Sequence, residues 1–179
     1  MSKIDKTAIV RAAEEVVRER GARKLTLDAV AAKCGLSKGG LLHHFSSKQV
    51  LLKAMVEKAI ERELQIAAEF TDDRPGAGQG ELQPRIDALF VMMEDEKSLP
   101  RALLAAVAED PSLLEPIRAK EAKIRREACG ASKDPELAQI LLFAARGLFL
   151  GRVLGVMDPE DPVFERMRKR LLALAAEVE

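Results

Sequence analysis

The stretch "LTLDAVAAKCGLSKGGLLHHFSSKQVLL", residues 25–52, decides the fold of this chain. Thr26 stands directly before a short run of helix-forming residues, where a hydroxyl side chain caps a helix. Leu25 and Val30 have the spacing of a hydrophobic staple across that cap. Gly35 follows the run, and glycine at this place ends a helix because it adopts the left-handed conformation without strain. The sequence therefore predicts a short, well-bounded helix.

A second short helix follows after about three residues. Ser37 is placed to cap it, and Leu36 is placed to contact Ala31 of the preceding helix, as in a Schellman-type helix end. A glycine-containing turn this short fixes a steep angle between the two helices. The pattern predicts a helix-turn-helix.

The glycine and histidine pairs within "LSKGGLLHHF", residues 36–45, admit four readings: a loop, a metal site, a catalytic pair or a helix with few side chains on one face. His43 and His44 are adjacent, so on a helix they point about 100° apart and do not bind one metal in the i, i+4 manner. Gly39 and Gly40 each cost about 1 kcal/mol relative to alanine in an exposed helix. Since caps flank the segment, we expect a helix that permits close approach of another molecule.

A long helix is predicted to begin after this motif. Ser46 and Gln49 have the spacing of a capping box, and Phe45 and Val50 that of a second staple. Helix-forming residues dominate the whole chain, the six aromatic residues are all Phe, and no strand pattern competes. We therefore expect an all-α fold of about nine helices, with Gly21 ending the first in the left-handed conformation. Beyond the two short helices, the predicted segments are 3–20, 47–70, 82–95, 99–109, 112–128, 135–156 and 160–178.

The formal charge is zero, but its distribution is uneven. Residues 1–62 carry 13 basic and 7 acidic residues, whereas residues 63–179 carry 16 and 22. A basic amino-terminal part is a modest indication of a surface for polyanions such as nucleic acid. Cys34 and Cys129 lie far apart without metal-site spacing, and no catalytic motif is present, so we expect no metal, no cofactor and no enzymatic activity. The lack of a signal peptide or a long uncharged apolar run predicts a soluble, cytoplasmic protein with no membrane partner.

The segment 135–156 is apolar on more than one face, which exceeds what a helix with one side in water needs. We expect it to pack on two partners and, with segment 160–178, to form a four-helix interface in a homodimer; a monomeric core is the alternative. The interface candidates are Leu141, Leu148, Phe149, Val153, Met167, Leu171 and Leu174. Some apolar residues of this part are candidates for lining a ligand pocket, and ordinary core packing is the alternative for each of them. They are Phe90, Met93, Leu104 and Phe143.

Residues 7–55, including "HF-x-SK" at His44, Phe45, Ser47 and Lys48, resemble TetR-type transcriptional regulators. The resemblance implies that the third helix enters the major groove of DNA. Leu42 and Gly40 stand where many members carry Tyr and a larger hydroxyl residue, so those hydroxyl contacts with phosphate do not carry over. The DNA-contact candidates that it implies are Thr26, Ser37, Lys38, Gly39, Gly40, Leu42, His43, His44 and Lys48.

The expected protein is a homodimeric, ligand-responsive regulator, most simply a repressor. Residues 1–46 would form the DNA-binding domain and residues 47–179 a helical domain for ligand binding and dimerisation, linked by the helix 47–70. Its partners would be a palindromic double-stranded operator, a second copy and a small, hydrophobic effector. The rival hypothesis is an all-helical small-molecule-binding protein or enzyme without a DNA role.

Overall fold

A computed structural model describes residues 5–21, 24–72, 81–94, 107, 110–158 and 160–179. These residues form eight α-helices and no strand, which confirms the all-α class. A 3-10 turn at Pro111–Leu114 precedes α6, and a π-helical segment at Arg125–Cys129 follows it. Of the predicted helix 99–109, only Val107, which is helical, belongs to the described residues. The helices are α1 Lys6–Arg20, α2 Leu27–Cys34, α3 Lys38–His44, α4 Lys48–Asp72, α5 Leu82–Glu94, α6 Glu115–Ile124, α7 Pro135–Leu154 and α8 Val163–Val178.

Two compact units divide the chain. Unit 1 comprises residues 1–59 and 97–117, and unit 2 comprises residues 60–96 and 118–179. The boundary between the two domains predicted from the sequence falls after residue 46. The first turns of α4 belong to unit 1 because their apolar side chains are buried in its core, as are those of α1, α2 and α3. The α4 residues concerned are Leu51, Leu52 and Met55.

Helix α1 in unit 1 begins at Lys6, because Asp5 caps it by accepting a hydrogen bond from the Ala8 N–H at 2.7 Å. Gly21 ends it with φ 82° and ψ 160°. The φ angle is one that favours glycine, as predicted, but the ψ angle is extended and not left-handed helical. The buried face of α1 packs on α2 and supplies Ile9, Val10, Ala12, Ala13, Val16 and Val17.

Helices α5, α7 and α8 pack together in unit 2. Asp134 caps α7 ahead of Pro135, and Gly155 ends it in the left-handed conformation. The apolar residues of α7 fall on two sides, as the sequence indicated. One side is buried against α5 and α8 through Ala138, Leu141, Leu142 and Ala145.

The other side of α7 leaves an apolar stripe exposed within the single chain. Its exposed members, spaced at helical intervals, are Ile140, Phe143, Ala144, Gly147, Leu150 and Leu154. Two of the seven predicted interface residues, Leu141 and Leu171, are instead in the core of unit 2, so they have no surface to offer a second copy. Leu148, Phe149, Val153 and Leu174 are half-buried, and Met167 is exposed. The sequence pattern identified the helix correctly but assigned these two residues to the wrong side.

By length and mean hydropathy, 20 residues at 1.6, α7 would be able to cross a membrane. The helix nevertheless packs on two neighbours within unit 2, and Arg146 in its middle makes ion pairs there. Apolar core helices of globular proteins have the same composition. We therefore describe α7 as a packed helix of unit 2 with one uncovered face.

Candidate nucleic-acid interface

Helix α2 is bounded as its sequence predicts. The Thr26 hydroxyl accepts a hydrogen bond from the Ala29 N–H at 3.1 Å, and both staple residues, Leu25 and Val30, are buried. At the other end Gly35 has φ 68° and ψ 25°, and its N–H donates to the Ala32 carbonyl at 3.2 Å. The next N–H, that of Leu36, donates to the Ala31 carbonyl at 2.9 Å. These two bonds form a Schellman motif, which fixes the turn.

Helix α3 begins immediately after that turn. The Ser37 hydroxyl accepts a hydrogen bond from the Gly40 N–H at 3.1 Å, so the cap predicted at Ser37 is confirmed. Gly39 and Gly40 are both helical, and neither has a positive φ. Leu41 is fully buried and attaches the inner side of α3 to the core of unit 1. The segment is therefore a helix and not a loop.

The outer side of α3 is open. Lys38, Gly39, Leu42 and His43 are exposed, whereas Gly40 and His44 are half-buried. A Cβ placed on Gly39 would meet only the Ser37 Oγ, at 4.0 Å, so nothing within the protein requires glycine there. Because Gly39 has no side chain and Lys38 beside it carries a positive charge, another molecule can approach the backbone of α3 closely on this face.

The remaining predicted contact residues lie around α3. Thr26 and Ser37 are exposed at the starts of α2 and α3, and Lys48 is half-buried at the start of α4. The Lys38 ammonium lies 3.0 Å from the Asp28 carboxylate, and both side chains are more than half exposed. An ion pair in that much water is weak, so Lys38 is able to exchange Asp28 for another anion.

The start of α4 differs from the prediction. Ser47, not Ser46, is the cap, since its hydroxyl accepts a hydrogen bond from the Val50 N–H at 3.2 Å. The cap is therefore one residue later than predicted, and the predicted capping box does not form; Phe45 is buried but Val50 is exposed, so the predicted staple is wrong as well. Either of the two adjacent serines offers a hydroxyl as a cap, and in the fold Ser47 supplies it while Leu51, four residues later, is buried in the core.

Helix α2 is also clamped to α1 through Lys33. Its ammonium lies 2.7 Å from Glu19 and 3.4 Å from Glu15. The hydrogen bond with Lys33 lowers the pKa of Glu19, and in turn the bond with Glu19 raises the pKa of Lys33. This ion pair joins the exposed sides of α1 and α2, whose buried side chains pack in one core.

Two parts of the chain match known protein families. Residues 9–55 match "Bacterial regulatory proteins, tetR family", and residues 81–176 match "Tetracyclin repressor-like, C-terminal domain". The second match alone covers more than half of the chain. The chain belongs to the TetR family. As a TetR-family protein it is a transcriptional regulator, with a helix-turn-helix for DNA in its first part and a ligand-binding carboxy-terminal part.

Individual relatives agree with that assignment. The chain is 28% identical to the HTH-type transcriptional regulator CymR of Pseudomonas putida over an alignment of 189 positions, which covers 94% of this chain and 88% of CymR. It is 37% identical over 59 residues to the HTH-type transcriptional regulator UidR of Escherichia coli, but that match spans only 30% of UidR and 33% of this chain. The HTH-type transcriptional activator FasR of Mycolicibacterium smegmatis is 30% identical over 122 residues, or 66% of this chain and 52% of FasR.

Solved structures share the TetR fold. A TetR transcription regulator from Haloarcula marismortui superposes with a TM-score of 0.77 at 21% identity, covering 97% of each chain. The multidrug binding protein EbrR, crystallised with malachite green, superposes with a TM-score of 0.71 at 20% identity over 94% of this chain and 96% of EbrR. At these identities the likeness concerns the fold alone.

A cleft of about 240 Å³ lies in unit 2 between α5, the end of α7 and the start of α8. Two of the four predicted pocket residues, Phe90 and Met93, line it together with Phe164. Phe143 does not, because it lies on the exposed stripe of α7, and Leu104 lies outside the described residues. The sequence did not point to the polar lining residues Arg152 and Arg168. Arg168 lies 3.1 Å from the buried Asp87 and 5.7 Å from the ring of Phe90.

No group of three or more metal-ligating side chains occurs in the described part of the chain. Burial raises the pKa of both thiols, Cys34 and Cys129. Both cysteines therefore have the environment of small core residues and not that of reactive thiolates.

Proposed function

We propose that this TetR-family regulator is a homodimeric repressor that binds a palindromic operator and is released by a small effector with an apolar body. The observation that carries the proposal is the outer side of α3, where Lys38, Gly39 and His43 are exposed beside the capped starts of α2 and α3. A helix of this kind places cations near phosphates and side chains near base edges in the major groove. The DNA-binding role of each named residue is part of this proposal.

The dimer is supported by the uncovered stripe of α7. Ile140, Phe143 and Leu154 are each about 60% exposed, on a helix whose opposite side is core. An apolar surface of this kind marks an interaction site in soluble proteins. A symmetric partner would cover it with its own α7, and exposed Met167 of α8 would extend the same interface. Two copies of α3 would then read two half-sites of one operator in the cytoplasm.

Release of the protein from its operator by the effector follows from a population shift. A ligand in unit 2 that binds the conformation unsuited to the operator more tightly will lower DNA affinity by the ratio of its two affinities. The name of FasR describes an activator. A reporter fused to the regulated promoter therefore distinguishes the two signs: deletion of a repressor raises expression, and deletion of an activator lowers it.

A gel shift with the DNA upstream of the protein's own gene tests DNA binding. We expect a specific complex whose affinity falls as salt rises, because phosphate neutralisation releases counterions. Lys38→Glu should abolish the complex. Lys123→Glu, the same charge change at an exposed lysine of unit 2, should leave it intact.

The proposal is wrong if no salt-sensitive complex forms on that DNA, or if Lys38→Glu and His43→Ala both bind like the wild type. Such a result would favour the rival, an all-helical small-molecule-binding protein that does not act on DNA.

A further inference from the structure

We propose that the effector carries a carboxylate and that the Nε and Nη2 edge of Arg146 binds it inside unit 2. The inference rests on the proposed effector role and adds the chemical class of the ligand. It starts from a group of charged side chains on α4, α6 and α7 that the sequence did not single out: Glu63, Lys120, Glu121 and Arg146.

These four side chains form an ion-pair network in the interior of unit 2. The Lys120 ammonium donates to Glu63 Oε2 at 2.6 Å, and both side chains are nine-tenths or more buried. Arg146 Nη1 lies 2.5 Å from Glu121 Oε1. Burying four charges costs free energy that a purely structural core would avoid, since well-packed apolar residues of similar volume are often as stable or more stable.

Arg146 is incompletely paired within this network. Its Nε and Nη2 atoms are buried and have no hydrogen-bond acceptor among the residues that the structure describes, and Nη2 is 3.8 Å from Glu63 Oε1, beyond hydrogen-bonding distance. Nε and Nη2 form one edge of the guanidinium group. Two parallel N–H groups on such an edge match the two oxygens of a carboxylate.

A second arginine repeats the pattern nearby. Arg85 of α5 pairs with Glu81 through Nη2, but its Nε is buried and finds no acceptor in the described part of the chain. The charges of Arg85 and Arg146 both act on the buried thiol of Cys129, opposing the rise in its pKa that burial causes. Both arginines therefore lie within electrostatic range of that thiol, and three of their buried nitrogens have no acceptor among the described residues.

The surroundings suit an organic acid and not a free inorganic anion. One helical turn from each charged residue stands a buried apolar side chain, which would contact the body of a ligand whose carboxylate meets Arg146. These neighbours are Ala67 after Glu63, Leu89 after Arg85, Ile124 after Lys120 and Leu142 before Arg146. A π-helical segment, of a kind often found at functional sites, ends at Cys129, which belongs to the same buried cluster as Leu89, Ile124 and Leu142.

Calorimetric titration of the full chain without DNA tests the inference. The probes are benzoate, octanoate, the primary amide of each, and inorganic phosphate. We expect each acid to bind roughly tenfold to a hundredfold more tightly than its amide, the difference that a charge-assisted pair supplies. Phosphate should bind more weakly than either acid, because it lacks an apolar body.

Variants locate the site. Arg146→Gln should reduce the affinity for each acid to that for its amide, and Arg146→Lys, which keeps the charge but loses the paired N–H edge, should reduce it by roughly tenfold. Arg166→Gln, at an exposed arginine of α8, should bind both acids like the wild type. If Arg146→Gln does not fold, Arg146→Lys carries the test.

The inference is overturned if neither acid binds, if acids and amides bind equally, if phosphate binds as well as the acids, or if the folded Arg146 variants bind acids like the wild type. Because the titration contains no DNA, its outcome is separate from that of the gel shift. If the protein binds its operator but binds neither acid, the proposed function stands and this inference is wrong.

Discussion

Glu179 holds Gln83 through both the backbone and the side chain of that residue. The Gln83 N–H donates to Glu179 Oε1 at 3.0 Å, and the Gln83 amide nitrogen donates to Oε2 at 2.8 Å. The Leu82 N–H donates to the same Oε1 at 2.6 Å. A carboxylate that follows α8 therefore caps the start of α5, a helix almost 100 residues earlier in the chain.

Glu179→Ala should lower the free energy of unfolding by about 1–2 kcal/mol, because the first N–H groups of α5 lose their acceptor. Glu177→Ala, at an exposed residue of α8, should change it by less than about 0.5 kcal/mol. Urea denaturation followed by circular dichroism measures both. Equal stability of the two variants would contradict the capping role.

Gly39→Ala should separate stability from function. The added Cβ meets no neighbour closer than 4.0 Å, so the helix should gain about 0.5–1 kcal/mol in unfolding free energy. On DNA the same methyl group should weaken operator binding by roughly tenfold, since it holds the backbone of α3 away from the groove. Thermal unfolding and gel shifts check the two effects; unchanged or tighter DNA binding would show that the backbone at residue 39 does not approach DNA.

Phe143→Glu should dissociate the proposed dimer at micromolar concentration, because a charge in the middle of the exposed stripe of α7 would be desolvated by the partner. Leu64→Glu, at an exposed apolar residue of α4, serves as the matched control and should remain dimeric. Sedimentation velocity distinguishes the two species. A monomeric wild type, or a dimeric Phe143→Glu, would count against the interface.

The Glu19 and Lys33 pair should make unit 1 sensitive to acid. Lys33 lowers the pKa of Glu19 below its ordinary value, so the stabilisation is present above the unfolded pKa and is lost as pH falls through the folded pKa. The stability advantage of the wild type over Lys33→Met should therefore shrink on acidification. It should also shrink in strong alkali, as pH rises through the raised pKa of Lys33.

Titration of the Glu19 carboxyl by NMR gives the direct measurement. Its pKa should rise towards the ordinary value in Lys33→Met and stay unchanged in Lys53→Met, at an exposed lysine of α4. A Glu19 pKa that is the same in Lys33→Met as in the wild type would show that the ion pair does not persist in solution.

The sequence determined the helix-turn-helix because every signal in it is local. The Thr26 and Ser37 caps and the left-handed Gly35 act between residues at most a few positions apart, so they are the same in a peptide and in the fold. The same locality explains the one error in this region. Both adjacent serines offer a hydroxyl as a cap, the local spacing to Gln49 favoured Ser46, and the folded chain uses Ser47.

Only the tertiary structure decided which side of α7 is core and which charges meet in the interior. Helical periodicity places Ile140 and Leu141 on different sides but does not say which side α5 and α8 cover; packing buried Leu141 and left Ile140 exposed. Glu63 and Lys120 are 57 residues apart, so no local pattern connects them. Contacts between distant residues depend on how whole helices pack, and that depends on the combined shape of many side chains.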